Sequence, residues 1–149
     1  MMRFAIIGVS LLGACATVNN LDSQDLVLFR GEIESFGEIR ELPSQGDEVI
    51  MGVQARARLD VTERLIGRLN SSHPYVDLIM TSIPQAGRLR DIYVLGRRRE
   101  DGSIQALRWD YHSSGLCIPR DEAVANSIED DIMTLRRAGR IEWDPDCGW

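Results

Sequence analysis

Val49-Ile50-Met51-Gly52-Val53-Gln54-Ala55-Arg56-Ala57-Arg58-Leu59-Asp60-Val61 carries an apolar residue at every second position. Val49, Met51, Val53, Ala55, Ala57, Leu59 and Val61 share one side of an extended chain, with Ile50, Gly52, Gln54, Arg56, Arg58 and Asp60 on the other. Alternation this long predicts a long, half-buried β-strand. Wound as a helix, the same residues would put Val53, Arg56 and Asp60 on one face, which is a poor core face. Upstream, Leu26 to Phe36 places Val27, Phe29, Gly31, Ile33 and Ser35 on one face and Glu32 and Glu34 on the other. Gly31 in mid-strand predicts a bulge or bend. Glu41 to Glu48, with Pro43 and Gly46, and Gly67 to Pro74 read as loops. Tyr75 to Ile83 reads as a strand with both faces largely apolar. Ile92 to Arg99 and Ile104 to Tyr111 flank Glu100-Asp101-Gly102-Ser103, and an Asp-Gly pair between alternating runs is a strong hairpin signal.

The period changes after Cys117. Val124, Ile128, Ile132 and Leu135 step at helical spacing, with Asp121 and Glu122 near the start and Arg136 and Arg137 near the end, as the helix dipole favours. Gly139 is a suitable stop. Asn126-Ser127 is a point where this helix can break, with Ser127 and Asp130 as a capping pair. Together these signals predict a mainly β fold, a small OB-like β-barrel of about five strands with one C-terminal α-helix.

Everything before Cys15 reads as an export signal. Arg3 makes a basic start, and Phe4 to Ala14 is an apolar run of 11 residues. A membrane span needs about 20 apolar residues, so this run is too short for one and has the length of a signal-peptide core. Leu12-Gly13-Ala14-Cys15 resembles the lipobox of bacterial lipoprotein precursors. The resemblance implies cleavage between Ala14 and Cys15 and acylation (palmitate among the acyl chains) of Cys15. It also implies the outer membrane as the destination, because Ala16 stands where Asp favours inner-membrane retention. Ala14-Cys15-Ala16 equally satisfies the A-x-A rule, and a cut after Ala16 would discard the Cys and leave a soluble periplasmic protein. The chain thus divides into a signal peptide (1–14), a lipidated Cys with a short tether (15–24) and a single domain (25–149). The nine residues Ala16 to Gln24 average about 17 Å end to end as a flexible coil and reach no more than about 30 Å.

A weaker resemblance concerns the domain. Leu26-Val-Leu-Phe-Arg-Gly-Glu-Ile33, followed by the strand ending Leu59-Asp-Val-Thr-Glu-Arg-Leu-Ile-Gly67, looks like the opening of netrin-like, TIMP-type OB barrels. The N-terminal Cys-x-Cys of that family is absent. An acylated Cys15 would moreover have no free amino end for binding a protease's zinc, as the family's inhibitors do.

The net charge is −6, and −7 once Arg3 leaves with the signal. An acidic chain without a basic stripe lacks the electrostatic footprint of a nucleic-acid binder. It also has no net attraction to an anionic bilayer, so membrane association must rest on the acyl chains. All 17 basic residues are Arg and are scattered, which reads as codon bias rather than as a recognition surface. Cys117 and Cys147 are the remaining cysteines, and an even pair in an oxidising compartment predicts a disulfide that ties the tail Trp143 to Trp149 to the body.

Constellations that could carry chemistry are few. Asp110, Tyr111 and His112, with Cys117 or Asp144, have the residue types of a metal site but lack ligand spacing, so no metal or cofactor is expected. Ser113-Ser114-Gly115 offers hydroxyls without a nucleophile motif. Glu129, Asp130 and Asp131 read as a solvated helix face. Arg97 and Arg99 share a strand face with Arg98 opposite, and that pair is the one candidate for an anionic ligand such as a lipid head group. Trp109, Trp143 and Trp149 read as core or barrel-end cover, or else as the lining of an apolar site. No residue is assigned a catalytic role. The expected function is non-enzymatic, binding or accessory work in the envelope with an envelope protein as partner. The alternatives are an inhibitor or regulator of an envelope hydrolase, and a hydrolase of unrecognised type.

Overall fold

The computed structural model describes residues 25–42, 52–81 and 91–147. Ala14, Cys15, the tether, Val49 to Met51, Ile83 and Trp149 lie outside them. Seven strands and two α-helices follow one another along the described chain: β1 (Leu26–Glu41), β2 (Val53–Ile66), β3 (Tyr75–Met80), β4 (Ile92–Arg98), β5 (Ile104–Tyr111), a 3-10 turn (His112–Ser114), β6 (Leu116–Cys117), α1 (Arg120–Ala125), α2 (Glu129–Arg137) and β7 (Trp143–Asp144).

The first five strands close into a barrel in the order β1-β2-β3-β5-β4. All its pairings are antiparallel except β3 with β5, which run parallel through only two residue pairs, Val76 with Ile104 and Asp77 with Gln105. This is the expected mainly β, OB-like barrel. Period-two alternation does what was expected of it: Ala55, Ala57 and Leu59 of β2 are buried with Val27, Phe29, Val76, Leu78, Met80, Ile92, Val94 and Ile104 to fill the interior.

β1 is longer than its alternation suggests, because it serves two partners. Leu26 to Gly31 pair with β4, while Leu28 to Glu41 pair with β2. Register shifts at Arg30/Gly31, Ile33/Ser35 and Phe36/Ile39 curl the strand between these duties. Gly31 sits at one of them, and a Cβ there would stand 2.8 Å from Asp60 O. At the far end of β2, Gly67 adopts φ +76° and backs onto β1, where a Cβ would meet Leu26 O at 2.2 Å. Gly67→Ala combines left-handed strain with a backbone clash, and is expected to destabilise by about 2–3 kcal/mol. A thermal melt showing an unchanged midpoint would contradict this.

A second core lies outside the barrel. Leu26, Leu28, Tyr93 and Leu95 point outward from β1 and β4 and are covered by Leu116, Ile118, Ala123, Ile128, Ile132, Leu135, Ile141 and Trp143. The one expected C-terminal helix is two. Ser127, at φ 57°, ends α1 in a Schellman turn: Ile128 N–H donates to Ala123 O (2.9 Å) and Ser127 N–H to Val124 O (2.9 Å). This turn resets the helical phase, so Ala123 is buried and Val124, placed on the core face by its spacing, is 54% exposed. Ser127 therefore closes α1 rather than capping α2, whose N-cap is Ile128 with no side-chain bond. α2 stops the same way at Gly139 (φ 69°), with Arg140 N–H bonded to Leu135 O (3.0 Å).

Cys117 and Cys147 form a disulfide. β6 and β7 pair in parallel beside it, and the Trp143 indole N–H donates to Ile118 O at 2.8 Å, so the tail is tied to the body through Cys147.

Candidate functional site

The ladder between β4 and β5 brings Asp91 and His112 together at one end of the barrel, where His112 N–H donates to Asp91 O (2.9 Å). Arg30 of β1 lies between Glu63 of β2 and Tyr93 of β4 across the sheet. Its guanidinium forks onto the Asp91 carboxylate, Nε to Oδ1 at 2.6 Å with Nη2 bonded to Oδ2. His112 Nδ1 is 3.5 Å from Asp91 Oδ2, and its ring rests on Tyr93 with centroids 5.2 Å apart. From the turn after α2, Arg140 reaches back to Glu63 through two bonds of 2.9 and 2.8 Å and to Arg64 O at 3.1 Å. Beside them opens a cleft of about 350 Å³ lined by Tyr93, His112, Ser113, Gly139, Arg140, Ile141 and Glu142. The bond from Arg30 holds the Asp91 carboxyl below the usual carboxylate range. Burial pushes the Tyr93 phenol up.

The triplet Asp110, Tyr111 and His112 is not one constellation. Successive strand residues diverge, and only His112 enters the cleft. Tyr111 is exposed and edge-on to Trp109. Asp110 turns to the disulfide strand and accepts the Cys117 N–H at 3.0 Å. Cys117 is occupied by Cys147, and Asp144 lies beside it in the β6–β7 pairing. Among the described residues no group of three His, Cys, Asp or Glu is arranged to hold a metal. Burial raises the Asp110 carboxyl. A raised acid favours the fold while protonated, so its contribution falls as pH rises through the folded value. Asp110→Asn keeps an acceptor for Cys117 and removes the charge. Its melting temperature is expected to exceed wild type by a few degrees at pH 7 and to match it at pH 3. An equal gain at both pH values would contradict this account.

Arg97 and Arg99 have different partners. Arg97 donates to Asn126 Oδ1 at the end of α1 (3.3 Å), whereas Arg99 bonds Asp77. Arg98 bonds Asp25 Oδ1 (3.1 Å), Arg68 O and Asn70. Trp109 closes the loosely paired seam between β3 and β5, its indole N–H donating to Ile79 O at 2.9 Å. Trp143 belongs to the outer core. Of the acidic run, Glu129 faces Arg120 at 3.5 Å.

Sequence reading missed two arrangements. Asp77 is buried on the outer face of β3 beneath two guanidiniums, Arg56 directly across on β2 (2.8 and 3.1 Å) and Arg99. Its only signal was a lone charge in an otherwise apolar strand. The bulge at Glu34 aims that carboxylate at His73, whose buried Nδ1 is 3.3 Å from Glu34 Oε1 and 3.7 Å from Asp60 Oδ1. No protein-family model, no curated protein and no solved structure matches this chain.

Proposed function

We propose that the chain is a lipid-anchored protein of the bacterial cell envelope, held at the periplasmic face of the outer membrane by acylated Cys15, with a binding or accessory role. The observation that carries this reading is Leu12-Gly13-Ala14-Cys15 at the end of an 11-residue apolar run behind Arg3. The Cys117–Cys147 disulfide supports it, since such bonds persist in oxidising compartments. One acyl chain holds a protein only marginally, and the two or three chains of the lipoproteins it resembles would anchor it firmly. Growth with a radioactive fatty acid tests the anchor. Wild type takes up label into the membrane fraction, and Cys15→Ala does not. Unlabelled wild type would overturn it.

A binding role is supported by apolar side chains left in solvent on the neighbouring strands β3 and β5: Tyr75, Ile79, Leu107 and Tyr111 are 52%, 57%, 40% and 42% exposed. Exposed apolar groups on adjoining strands suit a protein partner, here another envelope protein. A photocrosslinking residue at position 79 captures that partner in cells, while the same residue at exposed Val124 on α1 does not. Equal capture from both positions, or from neither, would exclude this surface.

A further inference from the structure

The cleft at Tyr93 and His112 has a chemistry that selects among small ligands. The arginine on its wall, Arg140, is matched within the fold by Glu63, and Arg30 behind it by Asp91. A phosphate or carboxylate ligand would therefore compete with carboxylates already in place, and Glu142 on the rim would repel it. The cleft instead interleaves hydrogen-bond donors and acceptors. Burial keeps the Tyr93 phenol protonated and able to donate. Ser113 both donates and accepts, Glu142 accepts, and His112, whose Nδ1 faces Asp91, has Nε2 left for a ligand. Gly139 and buried Ile141 add an apolar wall. At about 350 Å³ the space is at the small end of ligand pockets. Its position also matters. β1 leaves the tether at Leu26, beside Arg97 of β4, whereas Tyr93 lies four residues back along β4, roughly 13 Å away. The cleft is thus displaced from the tethered end of the barrel.

We propose that this cleft is a binding site for a neutral sugar unit, with His112, Ser113, Glu142 and the Tyr93 hydroxyl as its hydrogen-bonding groups. The proposal concerns the cleft alone and stands whether or not Cys15 is acylated. Two-dimensional amide NMR of the full mature chain, purified from cells in detergent, tests it with N-acetylglucosamine, its β-1,4-linked disaccharide and, as an anionic control, glycerol 3-phosphate. The expected result is saturable shifts from either sugar at His112, Ser113 and residues 139–142, with none from the phosphate. His112→Ala and Glu142→Gln each weaken the sugar affinity by about tenfold or more while the rest of the spectrum is unchanged. Absence of saturable shifts, shifts confined to another face, tighter binding of glycerol 3-phosphate, or wild-type affinity in both variants would overturn the proposal. Co-sedimentation with purified cell-wall sacculi then separates a wall glycan from a free sugar, and either source upholds the site.

Discussion

A Cys117→Ser/Cys147→Ser variant is expected to melt roughly 10–15 °C below wild type, a loss of about 3–4 kcal/mol. The bridge closes a loop with a sequence separation of 30, and the loop contains both helices that cover the outer face of β1 and β4. Without the bridge the unfolded chain gains the entropy of an open loop. Among the described residues the native tail is then held by the short β6–β7 pairing, the Trp143 bond to Ile118 O, the Arg120 N–H bond to Pro145 O and the burial of Ile141 and Trp143. Thermal melts with and without reductant check this. Wild type in reductant approaches the variant, and the variant itself is insensitive to reductant. A difference below about 1 kcal/mol would mean that packing of the helical layer, and not the bridge, fixes the tail.

The second large effect belongs to Asp77. Asp77→Ala is expected to cost about 2–3 kcal/mol, less than the roughly 3–5 kcal/mol of breaking a fully buried ion pair. The reduction reflects solvent access to the two guanidiniums, whose side chains are 38% and 36% exposed while that of Asp77 is 7% exposed. Removing the carboxylate leaves Arg56 and Arg99 facing each other over the β2–β3 pairing with no anion between them. The bond from Arg56 holds the Asp77 carboxyl below the usual range, followed in effect by the bond from Arg99. The sign follows from linkage. A depressed acid stabilises the fold above its unfolded value, about pH 4, and that contribution is lost as pH falls toward the folded value. Wild type should therefore lose stability on acidification below about pH 5, and Asp77→Asn should lose less over the same interval. Asp91, also depressed, leaves a residual slope in the variant. Identical pH profiles for wild type and Asp77→Asn would remove the proposed role of this cluster.

The strands of this fold were legible because each has one face in a core, and period two records that directly. β2, β4 and β5 begin or end within a few residues of where their alternation and the Asp101-Gly102 turn place them. What alternation does not record is a strand with two successive partners. β1 extends to Glu41 because its second half bonds β2 alone, and the register shifts that permit this depend on Asp60 and its neighbours, far along the chain. The helical break at Ser127 was visible as a possibility, but whether it operates depends on Ala123 and Ile128 both fitting the outer core.

The candidate cleft was legible only as His112 and Ser113, each singled out for a different chemistry. Its other members come from the start of β4 and the turn after α2, and no local spacing links them. Asp77 shows the same limit: the residue is conspicuous in its strand, but its burial is produced by arginines 21 and 22 positions away. The Cys117–Cys147 pair was the exception, a long-range contact readable from cysteine arithmetic alone.

The intact mass of the mature chain purified from membranes tests the central claim most directly. The anchored reading predicts a chain that begins at Cys15 and carries a diacylglyceryl group, with two fewer hydrogens for the Cys117–Cys147 bridge. A mature chain beginning at Thr17, cut after Ala16 and free of lipid, would contradict it.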